Sequence, residues 1–143
     1  MPDPVTEKIL RCVVVTPERQ VLDEKADYVA LPMYDGELGV LPGRAPLIGR
    51  LGFGELRLRK GERVQRYYVD GGFTQVRANT VTVLTDQAKK PEEINVTELT
   101  DLLAVVPATI AATPEEQESR LQAADRARAQ LRVAQHRADA APQ

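Results

Sequence analysis

The chain has 143 residues, enough for one ordinary domain or for one small domain with an appendage. Its hydrophobic content of 43% is typical of a globular protein, but aromatic residues make up only 4%, so we expect an aliphatic core and no aromatic platform for stacking bases or sugars. The formal net charge of −2 argues against a molecule that binds nucleic acid over its whole surface.

From Ile9 to about Asp86 the hydrophobic pattern has a period of two residues. The alternation is strict in Glu55–Arg59 and again in Thr80–Val83. The β-branched run Val13–Val15 is typical of a strand that is covered on both sides. Turn signals with glycine or proline recur at short spacing and no helical pattern separates them. This half is therefore predicted to be an all-β sandwich or barrel of roughly 80 residues.

The most distinctive segment is Asp35–Leu47, which contains three glycines and two prolines within thirteen residues. This density of helix breakers excludes a helix, and the apolar residues among them are not typical of a flexible linker. We expect a sharply shaped loop held on the β-core that presents Glu37 and Arg44 at fixed positions. Such a loop is typical of a docking surface or of the rim of an active site.

Helical spacing begins after the β-rich half. Pro91–Glu93 predicts a helix start, with proline in the first turn and acidic residues at the positive end of the helix dipole, and the helix should continue to about Val105. Thr113 is expected to cap a second helix that runs to Arg137 and is followed by a frayed tail, Ala138–Gln143. The two helices should form an αα-hairpin. The change of period predicts two domains, residues 1–88 and residues 89–143.

The second helix has an alanine-rich apolar stripe. The stripe consists of Leu121, Ala124, Ala127, Leu131 and Ala134. Each alanine in place of leucine forgoes roughly 2 kcal/mol of burial, so the stripe should dock closely but weakly. The arginines that flank it are Arg120, Arg126, Arg128, Arg132 and Arg137. Two interpretations stay open: a solvated surface helix whose charges match its dipole, or a detachable helix whose arginines bind an acidic partner.

Residues suited to catalysis are scarce. Cys12 and His136 are the single cysteine and the single histidine and belong to different halves, so we expect no intrachain disulfide, zinc site or nucleophile–base pair. Gly52–Gly54 lacks the third glycine of a dinucleotide-binding loop. Asp35 and Glu37 are better explained as solvated turn residues than as paired catalytic carboxylates. The chain is therefore interpreted as an interaction protein with no catalytic residue, metal or cofactor.

Parts of the chain resemble the epsilon-subunit family of the rotary ATP synthase: Asp35–Leu47, Val69–Val76 followed by Val81–Asp86, and Ala129–Ala134. The resemblance implies a ten-stranded β-sandwich followed by a helical hairpin. It also implies a non-catalytic rotor subunit in the central stalk of a proton-driven synthase, bound to the gamma subunit and resting on the ring of c subunits. Family members commonly carry histidine where this chain has Arg44, and arginine keeps the positive charge. The loop residues implied to contact these partners are Asp35, Glu37, Pro42 and Arg44.

The resemblance further implies a regulatory hairpin. In bacterial relatives the hairpin can extend along gamma toward the alpha and beta subunits of the catalytic head and restrain ATP hydrolysis, so the five helix arginines are expected to face an acidic segment of beta. Some relatives bind ATP on the hairpin through a short motif. The matching stretch Ile94–Leu99 has Asn95 and Glu98 where the motif has aspartate and arginine. We therefore expect no ATP binding at physiological concentration.

The expected location is the cytoplasmic face of a bacterial membrane, or the stromal face of a thylakoid, reached only through the complex, because the start of the chain lacks the pattern of a targeting segment. Two other functions stay open. One is a free-standing β-sandwich module whose basic helix binds nucleic acid, although five acids balance the five arginines from Pro114 to Gln143. The other is a small hydrolase that uses Asp35 and Glu37.

Overall fold

The computed structural model describes residues 9–105 and 113–139, and for residues 137–139 it describes only the backbone. Ten strands come first, followed by a 3₁₀ turn and two α-helices. The strands are β1 (Leu10–Val15), β2 (Gln20–Ala26), β3 (Tyr28–Met33), β4 (Gly36–Val40), β5 (Leu47–Arg50), β6 (Phe53–Lys60), β7 (Arg63–Asp70), β8 (Phe73–Arg77), β9 (Thr80–Leu84) and β10 (Gln87–Lys89). The helical elements are the 3₁₀ turn Pro91–Glu93, α1 (Val96–Val105) and α2 (Pro114–Asp139).

The strands form two five-stranded sheets that face each other. Sheet A has the order β2-β1-β9-β8-β5, in which β1 and β9 are parallel and the other pairs are antiparallel. Sheet B has the order β10-β7-β6-β3-β4 and is antiparallel throughout. Helix α1 contacts α2, and α2 contacts β6 and β7 of sheet B. The predicted sandwich with a following helical hairpin is confirmed. Strand β10 extends to Lys89, one residue past the predicted domain boundary.

The core between the sheets is aliphatic, as the composition predicts. Leu56 and Leu58 of β6 and Val81 and Val83 of β9 are buried, which confirms the alternation seen in those segments. The expectation that Val13–Val15 is covered on both sides is wrong, because only Val14 is fully buried and its two neighbours are half-buried. Those neighbours lie on the outer face of sheet A, whereas α2 packs on β6 and β7 of sheet B.

Cys12 lies in the core, on the inner face of β1, with no exposed surface. Burial, together with the nearby carboxylates of Asp23 and Glu24, raises the pKa of its thiol to about 12. The thiol therefore stays protonated at neutral pH and is not a nucleophile. Its role is that of a small apolar side chain in the core.

The helix starts differ in part from the prediction. Pro91–Glu93 is a separate 3₁₀ turn, because Ile94 adopts an extended conformation and is buried, so α1 begins only at Val96. The side chain of Asn95 then caps α1 by accepting a hydrogen bond from the backbone N–H of Glu98 at 3.0 Å. Thr113 caps α2 as predicted, since its hydroxyl accepts the N–H of Glu116 at 3.1 Å. Helix α2 continues two residues past its predicted end, so the first two residues of the predicted tail Ala138–Gln143 are helical. The predicted link 106–112 and residues 140–143 lie outside the described residues.

Gly72, in the β7–β8 turn, is the position where the sandwich tolerates a side chain least. Its φ is +97°, and a Cβ there would collide with the carbonyl oxygen of Leu84. We expect Gly72→Ala to lower the free energy of unfolding by about 3 kcal/mol, since backbone strain and overlap add. Gly61→Ala is the matched control, because Gly61 has φ +61° and open space around it. It should cost about 1 kcal/mol. Urea unfolding measures both values, and equal losses would contradict the steric argument.

Candidate functional site

The segment Asp35–Leu47 is only partly a loop. Its first half forms β4, the edge strand of sheet B, which pairs with β3 through a two-residue turn at Tyr34 and Asp35. Gly39 sits within this strand because the Tyr28 ring packs on it, and a Cβ at Gly39 would lie 2.6 Å from the Tyr28 hydroxyl. Glycine therefore marks a close approach here rather than a break in the strand. The irregular part is the stretch 41–46 between β4 and β5.

The structure does not bring the four predicted loop residues together. Asp35 lies in the turn before β4, whereas Pro42 and Arg44 follow its other end. The five residues of β4 rise about 3.4 Å each, so these two sites are separated by roughly 15 Å of strand. The Asp35 end of the sandwich also holds the β7–β8 turn, and the Arg44 end also holds the β8–β9 turn at Ala78 and Asn79.

Glu37 is paired within the sheet. Its carboxylate accepts hydrogen bonds from Arg57 on β6, at 2.8 Å from Nη2 and 3.4 Å from Nη1. The same guanidinium also contacts Glu55 at 3.4 Å. Arg57 and Arg66 stand directly opposite each other on β6 and β7, and Arg66 Nε lies 3.4 Å from Glu55. Glu37 thus helps to neutralise a concentration of positive charge on the outer face of sheet B.

Pro42 and Arg44 belong to a turn at the surface. The backbone N–H of Arg44 donates to the carbonyl of Leu41 at 3.3 Å, and the Arg44 side chain is exposed. The turn is joined to sheet A by a hydrogen bond from the Gly43 N–H to the side-chain oxygen of Asn79 at 2.8 Å. Arg44 is thus exposed on a turn tied to the β8–β9 hairpin.

Helix α2 covers the outer face of sheet B through a small apolar cluster. The cluster consists of Tyr68, Ile94, Ala129 and Val133. Tyr68 is fully buried, and its hydroxyl donates a hydrogen bond to the carboxylate of Asp70 at 3.0 Å. Burial and the neighbouring carboxylate raise the pKa of Tyr68, so the phenol remains a donor under all ordinary conditions. A buried polar group with its partner in place allows the helix to cover the ring at little cost.

Contacts between basic and acidic side chains lie on either side of this cluster. Arg126 of α2 contacts Asp70 at 3.1 Å, and its guanidinium lies over the Phe53 ring, 5.1 Å from the centroid. Three turns further along the helix, Nδ1 of His136 contacts the carboxylate of Glu55, whose side chain is only 12% exposed. Helix α2 therefore places two basic side chains on two carboxylates of sheet B.

Most of the predicted apolar stripe of α2 does not meet the sandwich, although its last member, Ala134, packs against the cluster. Leu121 is 52% exposed, and Ala124 and Ala127 are buried but lie on a different side of the helix from Ala129 and Val133. Because α2 is contacted both by sheet B and by α1, it has two buried sides. The predicted stripe describes only one of these two sides. The spacing of Arg126, Ala129, Val133 and His136 is a helical signal for the second side, but only Ala129 and Val133 are apolar.

The remaining predicted arginines differ in their surroundings. Arg128 pairs with Asp125 within the helix at 3.2 Å, and Arg132 is exposed. Within the described part of the chain, Nη1 of Arg120 is buried without a hydrogen-bond partner. The side chain of Arg137 lies outside the described residues. Only Arg126 among the described four is paired with the sandwich.

Sheet A presents an apolar outer face that the sequence analysis did not identify. Ile48 is 76% exposed, Phe73 58% and Leu84 54%. Phe73, Leu84 and Val15 stand directly opposite one another on β8, β9 and β1 and form what we call the apolar row, and Arg50 of β5 stands beside Phe73 at its end. Arg50 also lies over the ring of Tyr34, 4.6 Å from its centroid. Leu84, which breaks the alternation after Val83, was a signal that could have indicated this face.

Among residues 9–105 and 113–139, no group of three or more histidine, cysteine, aspartate or glutamate side chains is placed to hold a metal ion. Within the same ranges no helix combines the length and the apolar character needed to cross a membrane.

The chain is similar in sequence to known proteins of one family. The family model described as "ATP synthase, Delta/Epsilon chain, beta-sandwich domain" matches residues 9–91. The chain is 52% identical over 124 residues to an ATP synthase epsilon chain of Rhodopirellula baltica, covering 87% of this chain and 97% of that one. It is 40% identical over 128 residues to an ATP synthase epsilon chain of Granulibacter bethesdensis, covering 86% of this chain and 95% of that one.

Solved structures share the architecture. A chain in the cryo-EM structure of the Euglena gracilis mitochondrial ATP synthase, OSCP/F1/c-ring, aligns with a TM-score of 0.80 at 22% identity and covers 91% of this chain and 83% of that chain. At this identity the likeness concerns the fold. Since the family model covers more than half of the residues and two relatives match over nearly their whole length, the chain belongs to the ATP synthase delta/epsilon family, as a non-catalytic subunit.

Proposed function

We propose that the chain is a rotor subunit of the central stalk that couples the gamma subunit to the c-ring of a proton-driven ATP synthase. The observation that carries this proposal is the apolar row on the outer face of sheet A, where Phe73 and Leu84 are more than half exposed. The helices occupy the outer face of the other sheet. An open apolar face of this kind is typical of a protein interface, and gamma is the partner proposed for it.

The two ends of the sandwich are proposed to contact different parts of the complex. Asp35 and Arg44 lie at opposite ends of β4, so a single small partner loop does not reach both. The apolar row proposed for gamma lies at the Asp35 end, because Phe73 directly follows the β7–β8 turn, so we assign gamma to that end and the c-ring to the Arg44 end. A subunit that transmits torque needs separated contacts, because one small contact would act as a pivot.

Acidic substitutions on sheet A test the gamma interface. We expect Phe73→Glu and Ile48→Glu to reduce recovery of the chain with gamma by at least about tenfold, because each would bury an unpaired charge in the complex. Val105→Glu on α1 is the matched control, since Val105 is 58% exposed, as Phe73 is. Co-purification of the full-length variants with the synthase measures the effect. Recovery unchanged by the two sheet A variants would contradict the proposed interface.

The hairpin is proposed to be a two-position element that restrains ATP hydrolysis. Its docked position depends on one small apolar cluster, the ion pair of Arg126 with Asp70 and the contact of His136 with Glu55, and a competing partner can replace these interactions. Extension toward the catalytic head would release Arg126 from Asp70. The arginines Arg120, Arg126, Arg128, Arg132 and Arg137 are proposed to face an acidic segment of the beta subunit in that position.

Removal of the hairpin tests inhibition directly. The chain should be cut after Lys90, because β10 pairs with β7 and belongs to the sandwich. We expect the truncated chain to assemble normally and the complex to hydrolyse ATP faster than with the intact chain. Equal hydrolysis rates for the two complexes would show that the hairpin does not inhibit.

A variant that destabilises only the docked position of the hairpin should lower ATP hydrolysis, whereas removal of the hairpin should raise it. Asp70→Asn removes the charge that holds Arg126, and we expect it to shift the ratio of extended to docked hairpins about fivefold, for a loss of about 1 kcal/mol. ATP hydrolysis by the complex should therefore fall. Asp125→Asn is the control, because Asp125 pairs only within α2, with Arg128. Hydrogen exchange of α2 amides reports the position of the helix, and identical behaviour of the two variants would refute the two-position model.

The other expectations for the hairpin and its surroundings remain predictions. Asn95 is occupied as the cap of α1 and Ile94 is buried, which supports the expected lack of ATP binding at this stretch. Arg126 and Arg128 are each held by a carboxylate, which disfavours the alternative of a helix that binds nucleic acid. A position on the cytoplasmic face of the membrane is likewise proposed from the family.

A further inference from the structure

The β8–β9 turn adopts a conformation that is unusual for its residues. Ala78 has φ +50° and Asn79 has φ +62°, so both central residues are left-handed. A two-residue turn with this geometry matches the twist of the two strands, but alanine is strained in it, whereas asparagine tolerates it. The residues on either side, Arg77 and Thr80, are directly paired, which fixes the turn tightly.

Asn79 connects three parts of the Arg44 end of the sandwich. Its side-chain oxygen accepts the Gly43 N–H at 2.8 Å, and its backbone carbonyl accepts the N–H of Arg11 at 2.8 Å. The stretch 41–46 passes from the edge of sheet B to the edge of sheet A without pairing with any described strand. The hydrogen bond from Gly43 therefore ties this connection to the middle of sheet A, one residue before Arg44.

We infer that Asn79 is a positioning residue for the partner-binding loop: it fixes the turn Leu41–Arg44 through Gly43 and so sets where Arg44 meets its partner. The inference rests on the proposed function, in which this loop docks in the complex. Asn79 is 35 positions away from Arg44 in the sequence, yet the amide and the loop are one structural unit. The partner surface that fits the exposed, permanently charged Arg44 is acidic or rich in carbonyl oxygens.

Asn79→Gly separates this role from folding. Glycine adopts positive φ without strain, so the turn itself is preserved or improved while the acceptor for Gly43 is lost. We expect an unchanged or higher melting temperature, faster hydrogen exchange of the Gly43 amide, and an affinity for synthase depleted of this chain that is weaker by about threefold to tenfold. Asn79→Asp keeps an acceptor oxygen and should restore both the protection of Gly43 and most of the affinity.

Two control variants separate a failure of the role inferred for Asn79 from a failure of the proposed docking loop. Ala78→Gly relieves strain in the same turn and leaves the Asn79 amide in place, so it should raise stability without changing affinity. Arg44→Ala tests the loop as a docking surface. Affinity that is unchanged in Asn79→Gly but reduced in Arg44→Ala would overturn the role of Asn79 alone. Affinity unchanged in both variants would overturn the docking loop itself, and the inference with it.

Discussion

A sandwich of two five-stranded sheets has two outer faces, and the described helices cover only one. The covered face is made suitable for a helix by Tyr68, a large side chain whose hydroxyl has its acceptor, Asp70, within the same strand. Undocking α2 would expose this ring, at a cost of about 2 kcal/mol. This division decides where a partner can bind, because the helix occupies sheet B and leaves sheet A open.

The docking of α2 is held by forces that a partner can replace. Glu55 and Asp70 are carboxylates on the outer face of sheet B, and each meets a basic side chain of the helix, His136 or Arg126. An acidic surface elsewhere would offer the same interaction to the helix. Since a partly exposed ion pair such as Arg126–Asp70 contributes only about 1 kcal/mol, the docked and the extended positions of the helix can be similar in free energy. An interface of this kind suits an element with two positions better than a permanently buried core does.

Much of the fold could be predicted from local patterns, and the failures have physical causes. Alternation identified β6 and β9, because one side of each strand is buried and the other is not. Strand β4 was interpreted as a loop because of the density of glycine and proline around Gly39. Glycine is needed at this position because the Tyr28 ring, from another strand, packs against it. The sandwich-facing side of α2 was missed because its buried apolar members are just one alanine and one valine, Ala129 and Val133, with Ala134 packed beside them. Contacts between distant segments decided each of these cases.

The distribution of the predicted loop residues follows from the geometry of a strand. Residues that are close in sequence are far apart when the chain between them is extended, so Asp35 and Arg44 lie at opposite ends of β4. Residues far apart in sequence meet at the same end, as Gly43 and Asn79 do. A compact motif in the sequence thus supplies two separate contact points on a rigid body. Two separated points resist rotation about either one, which is the mechanical requirement for a subunit that turns with a shaft.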